Sequence, residues 1–225
     1  MSNDDLTRDS IRAMRRSYGE AGLETLPADP FLAFSNWLKE AAENPVIVEA
    51  NAMVLSTLGA DHNGSDAIST RTVLLKDISG GGFTFFTNYS SRKGQAIDLH
   101  AQVTLLFPWY AMERQVSISG FAEKISRAES EDYFATRPWS SQIGAWASAQ
   151  SAPLATRAEL EQRFAGAMQK WPEGTAVPCP PHWGGYRVTP ISIEFWQGRY
   201  SRLHDRLRYE RANTNSDWEL HRYYP

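Results

Sequence analysis

Cysteine is almost absent from this sequence: Cys179 stands alone among 225 residues. A single thiol excludes an internal disulfide, and no Cys or His grouping has the spacing of a zinc site, so no metal is expected. That usage suits a reducing compartment, and the cytoplasm is the expected location. Long apolar runs are missing too. No stretch approaches the ~20 apolar residues of a membrane span, and the opening MSNDDLTRDS carries neither an apolar core nor a basic leader. Positive charge is not in excess, since 23 Lys and Arg face 26 Asp and Glu for a net charge of −3. The global electrostatic footprint of a nucleic-acid binder is therefore lacking. No linker-like run of Gly, Ser or Pro divides the chain and no internal repeat is found. Residues 1–225 read as one domain, with 1–20 as an N-terminal segment able to move. Aromatics, by contrast, are plentiful, and most are expected to pack in a core or an interface.

Periodicity orders the elements. From about Asp4 to Tyr18, Leu6, Ile11, Met14 and Tyr18 recur at helical spacing with Arg12, Arg15 and Arg16 between them, which predicts a helix with a frayed start. Asp29 before Pro30 reads as an N-cap with proline at the first helical position, and Phe31, Phe34, Trp37, Leu38 and Ala41 form one apolar stripe behind it. Strand-like runs follow: AMVLSTL from Ala52, ISTRTVLLK from Ile68, FTFFTN from Phe83, VTLLFPW from Val103 and RQVSISGFAEKIS from Arg114. DHNG (Asp61 to Gly64) and GGG (Gly80 to Gly82) turn the first three, and a short helix from Ser91 to His100 leads into the fourth. Five or six antiparallel strands with such short turns suggest a barrel.

Ser126 with Glu129 and Thr156 with Glu159 have capping-box spacing, and a further short helix is expected around Gln142 to Ala147. YRVTPISIEFW from Tyr186 returns to strand, and LRYER from Leu207 with WELHRYY from Trp218 predicts a closing hairpin around ANTNSD. The fold class is mainly β with α (α+β), a barrel with helices packed outside it. Open sheet edges make a dimer a natural cover.

Three constellations carry candidate chemistry. RTVLLK (Arg71 to Lys76) and TNYSSRKGQ (Thr87 to Gln95) place Arg71, Lys76, Arg92 and Lys93 within one strand-turn-strand-helix pattern, a way to grip a phosphorylated ligand. A regular strand would hold Arg71 and Lys76 about 17 Å apart on opposite faces, which suits a long ligand with a phosphate at one end and a reactive ring at the other. The plain alternative is a pair of solvated strand-end charges. Backbone amides at the helix start near Ser91 add a second anion site beside Arg92 and Lys93.

Tyr133 and Arg137, four residues apart, share a helix face, and Ser141 follows just past Pro138. A phenol, a guanidinium and a hydroxyl suit a phosphate monoester, although core packing of Tyr133 and a solvated Arg137 would use the same spacing. In FWQGRYSRLHDR, Arg202, His204 and Arg206 alternate, so an extended segment would carry an imidazole between two guanidinium groups. Like charges would disfavour the imidazolium and leave His204 neutral beside an electron-rich ligand. His62, His100, His182 and His221 show no partner spacing.

Taken in order, RTVLLK, TNYSSRK, LLFPW with ERQ, YFATRP with SQIGAW, Gln150-Ser151, and EFWQG through RLHDR resemble the pyridoxamine 5'-phosphate oxidase family over nearly the whole chain, from RRSY at Arg15 onward. The resemblance implies a homodimeric split β-barrel with FMN at the subunit interface. It implies oxidation of pyridoxamine 5'-phosphate and pyridoxine 5'-phosphate to pyridoxal 5'-phosphate, with dioxygen as acceptor. By the same resemblance the FMN contacts fall on Arg71, Thr72, Val73, Leu74, Leu75 and Lys76, on Phe86, Thr87, Arg92 and Lys93, and on Gln115, Gln150, Ser151, Trp196 and Arg206. Substrate phosphate falls to Lys76, Tyr133, Arg137 and Ser141, and the reacting ring to Arg202 and His204, the candidate catalytic pair. Arg15 and Tyr18 match an N-terminal segment that closes over substrate. Phe86 departs from the family's frequent Tyr and removes one hydroxyl. Other readings are a flavin oxidase of the same barrel acting on another substrate, a non-catalytic FMN or pyridoxal phosphate binder, and a nucleic-acid binder, against which the net charge weighs.

Overall fold

Asp29 starts the longest-striped helix as its sequence dictates: the carboxylate accepts from the Phe31 N–H at 2.9 Å, and Pro30 fills a position where no donor is needed. The computed structural model describes residues 8–14, 17–60 and 63–225. Its helices are α1 (Arg8–Ala13), α2 (Pro30–Glu43), α3 (Arg92–Leu99), α4 (Arg127–Ala135), α5 (Trp139–Ala147) and α6 (Arg157–Lys170). Its strands are β1 (Ala52–Ala60), β2 (Asp66–Leu74), β3 (Asp77–Ser79), β4 (Gly82–Asn88), β5 (Gln102–Trp109), β6 (Arg114–Lys124), β7 (Trp183–Gln197), β8 (Asp205–Glu210) and β9 (Glu219–Tyr223). All pairings are antiparallel, in the order β2-β1-β5-β6-β7-β4-β3, with β8 joined to β7 and β9 to β8.

The fork in this sheet sits on β7. From residue 186 to 197 β7 pairs with β6, while on its other side residues 183–188 hold β4 and residues 192–197 hold β8. Where the two arms part, the β6 register shifts between Ser119 and Gly120, and a Cβ on Gly120 would stand 2.2 Å from the Thr189 carbonyl oxygen. Only glycine allows that approach. The result is an α+β split β-barrel with helices outside it.

Alternation builds the core. β1 reads half-buried, buried along its length, sending Met53 and Leu55 inward, and Leu105, Phe107, Ile118, Val188 and Phe195 meet them from the neighbouring strands. α2 lays Phe34 edge-on to Phe83 and Phe107 at 5.0 and 4.9 Å, and Trp37 edge-on to Phe195 at 5.0 Å. Each such ring contributes roughly 1.5 to 3 kcal/mol through burial, so the stripe fixes α2 on the sheet. A smaller cluster of Phe134, Ile143, Val177 and Trp183 joins α4 and α5 to the start of β7. Among the described residues no helix is long and apolar enough to cross a membrane.

Three local expectations are corrected. The first helix covers Arg8–Ala13 of the described residues and does not reach Tyr18, whose ring instead meets Trp196 edge-on at 5.8 Å while the Gly19 N–H donates to Glu113. Residues 1–7, 15, 16, 61 and 62, including Leu6, Arg15 and Arg16, lie outside the described residues. The strand from Ile68 ends at Leu74 rather than Lys76, and the short β3 follows it. Residues 202–206 are not one extended segment: Tyr200–Arg202 form a 3-10 turn with φ of 56° at Ser201 and 66° at Arg202, and β8 starts only at Asp205. Tertiary bonds set this bend, since the Tyr200 N–H donates to the Gly19 carbonyl and the Arg199 N–H to His204.

Candidate active site

The end of β2, the second half of β4 and the α4–α5 pair wall a cleft of about 720 Å³, within the size range of small-molecule sites. β2 stops because the Leu75 N–H donates to the Asn51 carbonyl and the Lys76 N–H to that of Thr84, both at 2.8 Å. The chain thereby passes from its pairing with β1 to a contact with β4. Arg71, Thr72, Val73, Leu74 and Lys76 all line the cleft, while Leu75 is buried in the core beside it. The opposite-face expectation for Arg71 and Lys76 is thus overturned, because the parity rule holds only while a strand continues.

Arg71 is held by neutral acceptors. Its guanidinium donates to the Leu55 carbonyl at 3.0 Å, to Thr57 Oγ1 at 2.9 Å and to Ser69 Oγ. Burial, and next the charge of Arg92, pushes its pKa below the ordinary value. Lys93, in the first turn of α3, is buried; its ammonium donates to Gln150 Oε1 at 3.2 Å and Ser91 Oγ at 3.4 Å. Burial, followed by the charge of Arg71, pushes it down as well. Thr87 Oγ1 donates to the same Gln150 oxygen at 2.9 Å, so β4, α3 and the segment after α5 meet at one amide. Arg92, Gln150 and Ser151 line an adjoining hollow of about 620 Å³ that shares Asn88 and Gln150 with the cleft. Ser91 caps α3 by accepting from the Gly94 N–H, so the helix expected from Ser91 begins one residue later, at Arg92.

On the facing wall, Ser126 and Glu129 form both halves of a capping box that starts α4. Tyr133 leaves that helix toward the cleft; Arg137 stands just past its end and Ser141 in α5, and all three line the cavity. Phe86 stacks on Tyr133 with 3.9 Å between centroids and on Trp183 at 5.3 Å, both nearly parallel. The Arg137 guanidinium lies 4.7 Å over the Trp183 ring. Its Nη1 is buried without a hydrogen-bond partner, and burial lowers its pKa. Burial also pushes the Tyr133 phenol up, with Arg137 opposing.

The remaining expected residues gather elsewhere on the chain. Gln115, Trp196 and Arg206 are lateral neighbours across β6, β7 and β8. Trp196 packs on His204 at 4.6 Å, and Tyr18 meets both rings. Arg202 is exposed on the 3-10 turn, so the alternating Arg–His–Arg face is not formed. His204 is nevertheless disfavoured as a cation, first by burial and then by Arg202. None of these six lines the cleft, and Arg15 lies outside the described residues.

Charge separates the two groups. Arg206 and Arg208 both pair with Glu194, Arg199 and Arg222 with Asp205, and Arg114 with Glu40. Around the cleft, Arg71, Lys76, Lys93 and Arg137, with Arg92 beside them, form no ion pair with any described carboxylate. Arg71, Lys93 and Arg137 are partly or fully desolvated, Arg71 and Lys93 facing neutral partners and Arg137 keeping an orphaned donor; with the exposed Lys76 and Arg92 they make a receptor for anions. That donor set fits a phosphate ester as large as flavin mononucleotide and leaves cations for a second ester.

Comparison with known proteins gives the same reading. A family model described as pyridoxamine 5'-phosphate oxidase matches residues 39–170, and one described as the pyridoxine 5'-phosphate oxidase C-terminal dimerisation region matches 183–225. The chain belongs to the pyridoxamine 5'-phosphate oxidase family. Pyridoxine/pyridoxamine 5'-phosphate oxidase from Burkholderia cenocepacia is 50% identical over 219 residues, covering 96% of this chain and 99% of that protein. The enzyme of that name from Streptomyces avermitilis is 46% identical, covering 95% of each. Among solved structures, PhzG from Burkholderia lata 383, in complex with tetrahydrophenazine-1-carboxylic acid, superposes with a TM-score of 0.80 at 31% identity, over 91% of this chain and all of that one. A pyridoxamine 5'-phosphate oxidase-related, FMN-binding protein from Nostoc punctiforme shares the fold with a TM-score of 0.67 at 15% identity, covering 89% of this chain. Within this oxidase family member, the sequence reading passed over Trp183 and Asn88, both at the cleft. It began the last long strand at Tyr186, whereas Trp183 already pairs with Asn88. The signal available was Gly184-Gly185, a pair that in a strand marks close approach of other groups.

Proposed function

We propose that the chain is an FMN-dependent oxidase that converts pyridoxamine 5'-phosphate and pyridoxine 5'-phosphate to pyridoxal 5'-phosphate and works as a homodimer. The observation that carries this reading is the buried, unpartnered Nη1 of Arg137 in a cleft that also exposes Lys76, Tyr133 and Ser141. These four suit a phosphate monoester, and their binding energy, remote from the reacting carbon, goes into holding the pyridine ring in place. Arg71, Arg92 and Lys93, with Thr87, Gln150 and Ser151, suit the second ester, that of FMN; Phe86 and residues 72–74 would flank its ring system, with Leu75 packed in the core behind them. Bound FMN supplies the two-electron oxidation at the C4' carbon, with dioxygen taking up the electrons as hydrogen peroxide.

Gln115, Trp196 and Arg206, together with Tyr18, Arg202 and His204, complete the site from a second copy of the chain. Support comes from their absence from the lining of their own chain's cleft and from the match of residues 183–225 to a dimerisation region. Arg15 has the same role by resemblance. His204 Nδ1 accepts from the Arg199 N–H, which leaves Nε2–H to donate to the substrate, while Arg202 supplies charge at the ring.

The likeness to PhzG supports a second reading, a flavin oxidase of another ring substrate. Identity of 46–50% to the vitamin oxidases, against 31% to PhzG, favours the first. The test is anaerobic mixing of the yellow purified protein with pyridoxine 5'-phosphate. Bleaching of the flavin, followed by peroxide and pyridoxal 5'-phosphate in equal amounts when air is admitted, is the expected result. Flavin that stays oxidised overturns the proposal, and bleaching by tetrahydrophenazine-1-carboxylic acid alone moves the assignment to the PhzG type.

A further inference from the structure

Arg137 raises a physical question that its hydrogen bonds do not answer. A guanidinium on a long side chain loses much rotamer freedom when it is fixed, and a carboxylate is the usual means of fixing it. Here a carboxylate would neutralise the charge that the cleft needs. The structure holds Arg137 differently: its guanidinium carbon lies 4.7 Å from the centroid of Trp183 and 5.5 Å from that of Phe134, while Nη1 keeps its donor unused. An aromatic face attracts a cation without taking up its N–H groups, so the fork is oriented and left free.

Trp183 is itself locked. It is 6% exposed, opens β7 opposite Asn88, and lies parallel to Phe86 within 13° at 5.3 Å. Phe86 in turn lies on Tyr133 at 3.9 Å, and Phe134 meets the indole edge-on at 5.0 Å. One indole thus lies against the cation of the phosphate cluster on one contact and the stack that carries its phenol on another.

We propose that Trp183 is a positioning residue for the phosphate subsite, acting on substrate through Arg137, and that recognition of the phosphorylated substrate depends on the electron density of its ring face. This rests on the proposed oxidase activity. Exchange of Trp183 for leucine keeps apolar volume and removes the π face, whereas Trp183→Phe keeps a smaller one.

The experiment measures kcat and KM for pyridoxine 5'-phosphate, together with the inhibition constant of inorganic phosphate, in Trp183→Leu, Trp183→Phe and a series of fluorinated tryptophans placed at 183 alone. Fluorination drains the ring face with little change of shape, so the series stays informative where the leucine variant fails to fold. KM and the phosphate inhibition constant are expected to rise together by about tenfold in Trp183→Leu and stepwise with fluorine count, with kcat and flavin content unchanged and Trp183→Phe in between. In an Arg137→Ala background the same changes are expected to have no further effect. Constants that stay flat across the fluorinated series, or an undiminished effect without Arg137, overturn the inference. Absence of turnover by the unaltered protein instead defeats the oxidase reading.

Discussion

The backbone N–H of Arg199 donates to Nδ1 of His204 at 3.0 Å, so the neutral imidazole carries its proton on Nε2. Burial and then Arg202 push its pKa below the ordinary 6.5, and protonation of Nδ1 would set one donor against another. The unfolded chain takes up this proton first. The stability that the neutral ring contributes is therefore complete above 6.5 and is lost as pH falls through the lower folded value. If His204 must be neutral to serve the substrate, kcat/KM should show an acid limb below 6.5 that is absent from His204→Gln. A limb above 6.5, or one that survives the substitution, contradicts the assignment.

Arg137 is a half-buried cation with no carboxylate partner and a buried, unpartnered Nη1, so it costs stability in the empty protein and returns that cost when an anion arrives. Arg137→Ala should therefore leave the melting temperature of the flavin-loaded protein without substrate unchanged or higher. Its KM for pyridoxine 5'-phosphate should rise by the equivalent of about 2 to 4 kcal/mol, the loss expected from truncating one partner of a desolvated charge pair. Thermal melts and steady-state kinetics on one preparation check both halves. A variant that melts lower with unchanged KM would make Arg137 structural.

Local chemistry made much of the fold legible. Asp29-Pro30 with its apolar stripe, Ser91 before Arg92, and Ser126 with Glu129 each fix an element through neighbours within one turn, and each was readable for that reason. What could not be read depends on partners far along the chain. Lys76 enters the cleft because its N–H finds Thr84, and β2 ends at Leu74, one residue before the apolar run does. Arg202 leaves the expected extended path because Gly19 and His204 take the N–H groups of Tyr200 and Arg199. Trp183 has only the adjoining Gly184-Gly185 as a local sign, and that pair marks close packing, not what packs there; only the fold sets it under Arg137 and beside Phe86.

Glu194 holds two guanidinium groups at once, meeting Arg206 through Nε at 3.1 Å and Nη2 at 2.8 Å, and Arg208 through Nε at 2.8 Å. Burial works against its ionisation, but the hydrogen bonds from Arg206 and Arg208 outweigh it and hold the carboxyl below its ordinary 4.5. Its contribution to stability is thus present above 4.5 and lost as pH falls through the lower folded value. Glu194→Gln should cost about 1 to 3 kcal/mol at neutral pH, since two half-buried cations lose their shared counter-charge. It should also weaken FMN retention if Arg206 contacts the cofactor. Denaturant melts and flavin release on dilution measure the two effects. Loss of stability with unchanged flavin retention would separate Arg206 from the cofactor.

Gly185 and Gly166 should respond oppositely to the same added methyl. In β7, a Cβ at 185 would approach Ile125 Cδ1 to 2.5 Å and Phe86 Cε1 to 3.0 Å. The end of Ile125 can turn aside, but the Phe86 ring is stacked on Tyr133 and also packs against Trp183, so it can move only by disturbing both. Overpacking of this kind costs about 1 to 3 kcal/mol, so Gly185→Ala should lower the melting temperature and raise KM for the phosphorylated substrate together. Gly166 lies on an exposed turn of α6, where an added Cβ meets nothing within 4 Å. There alanine removes backbone freedom from the unfolded chain, so Gly166→Ala should stabilise by roughly 0.5 to 1 kcal/mol with kinetics unchanged. Thermal melts of the two variants, side by side with KM values, provide the check. A Gly185→Ala protein with unaltered KM would show that the ring stack can shift without moving the phosphate cluster.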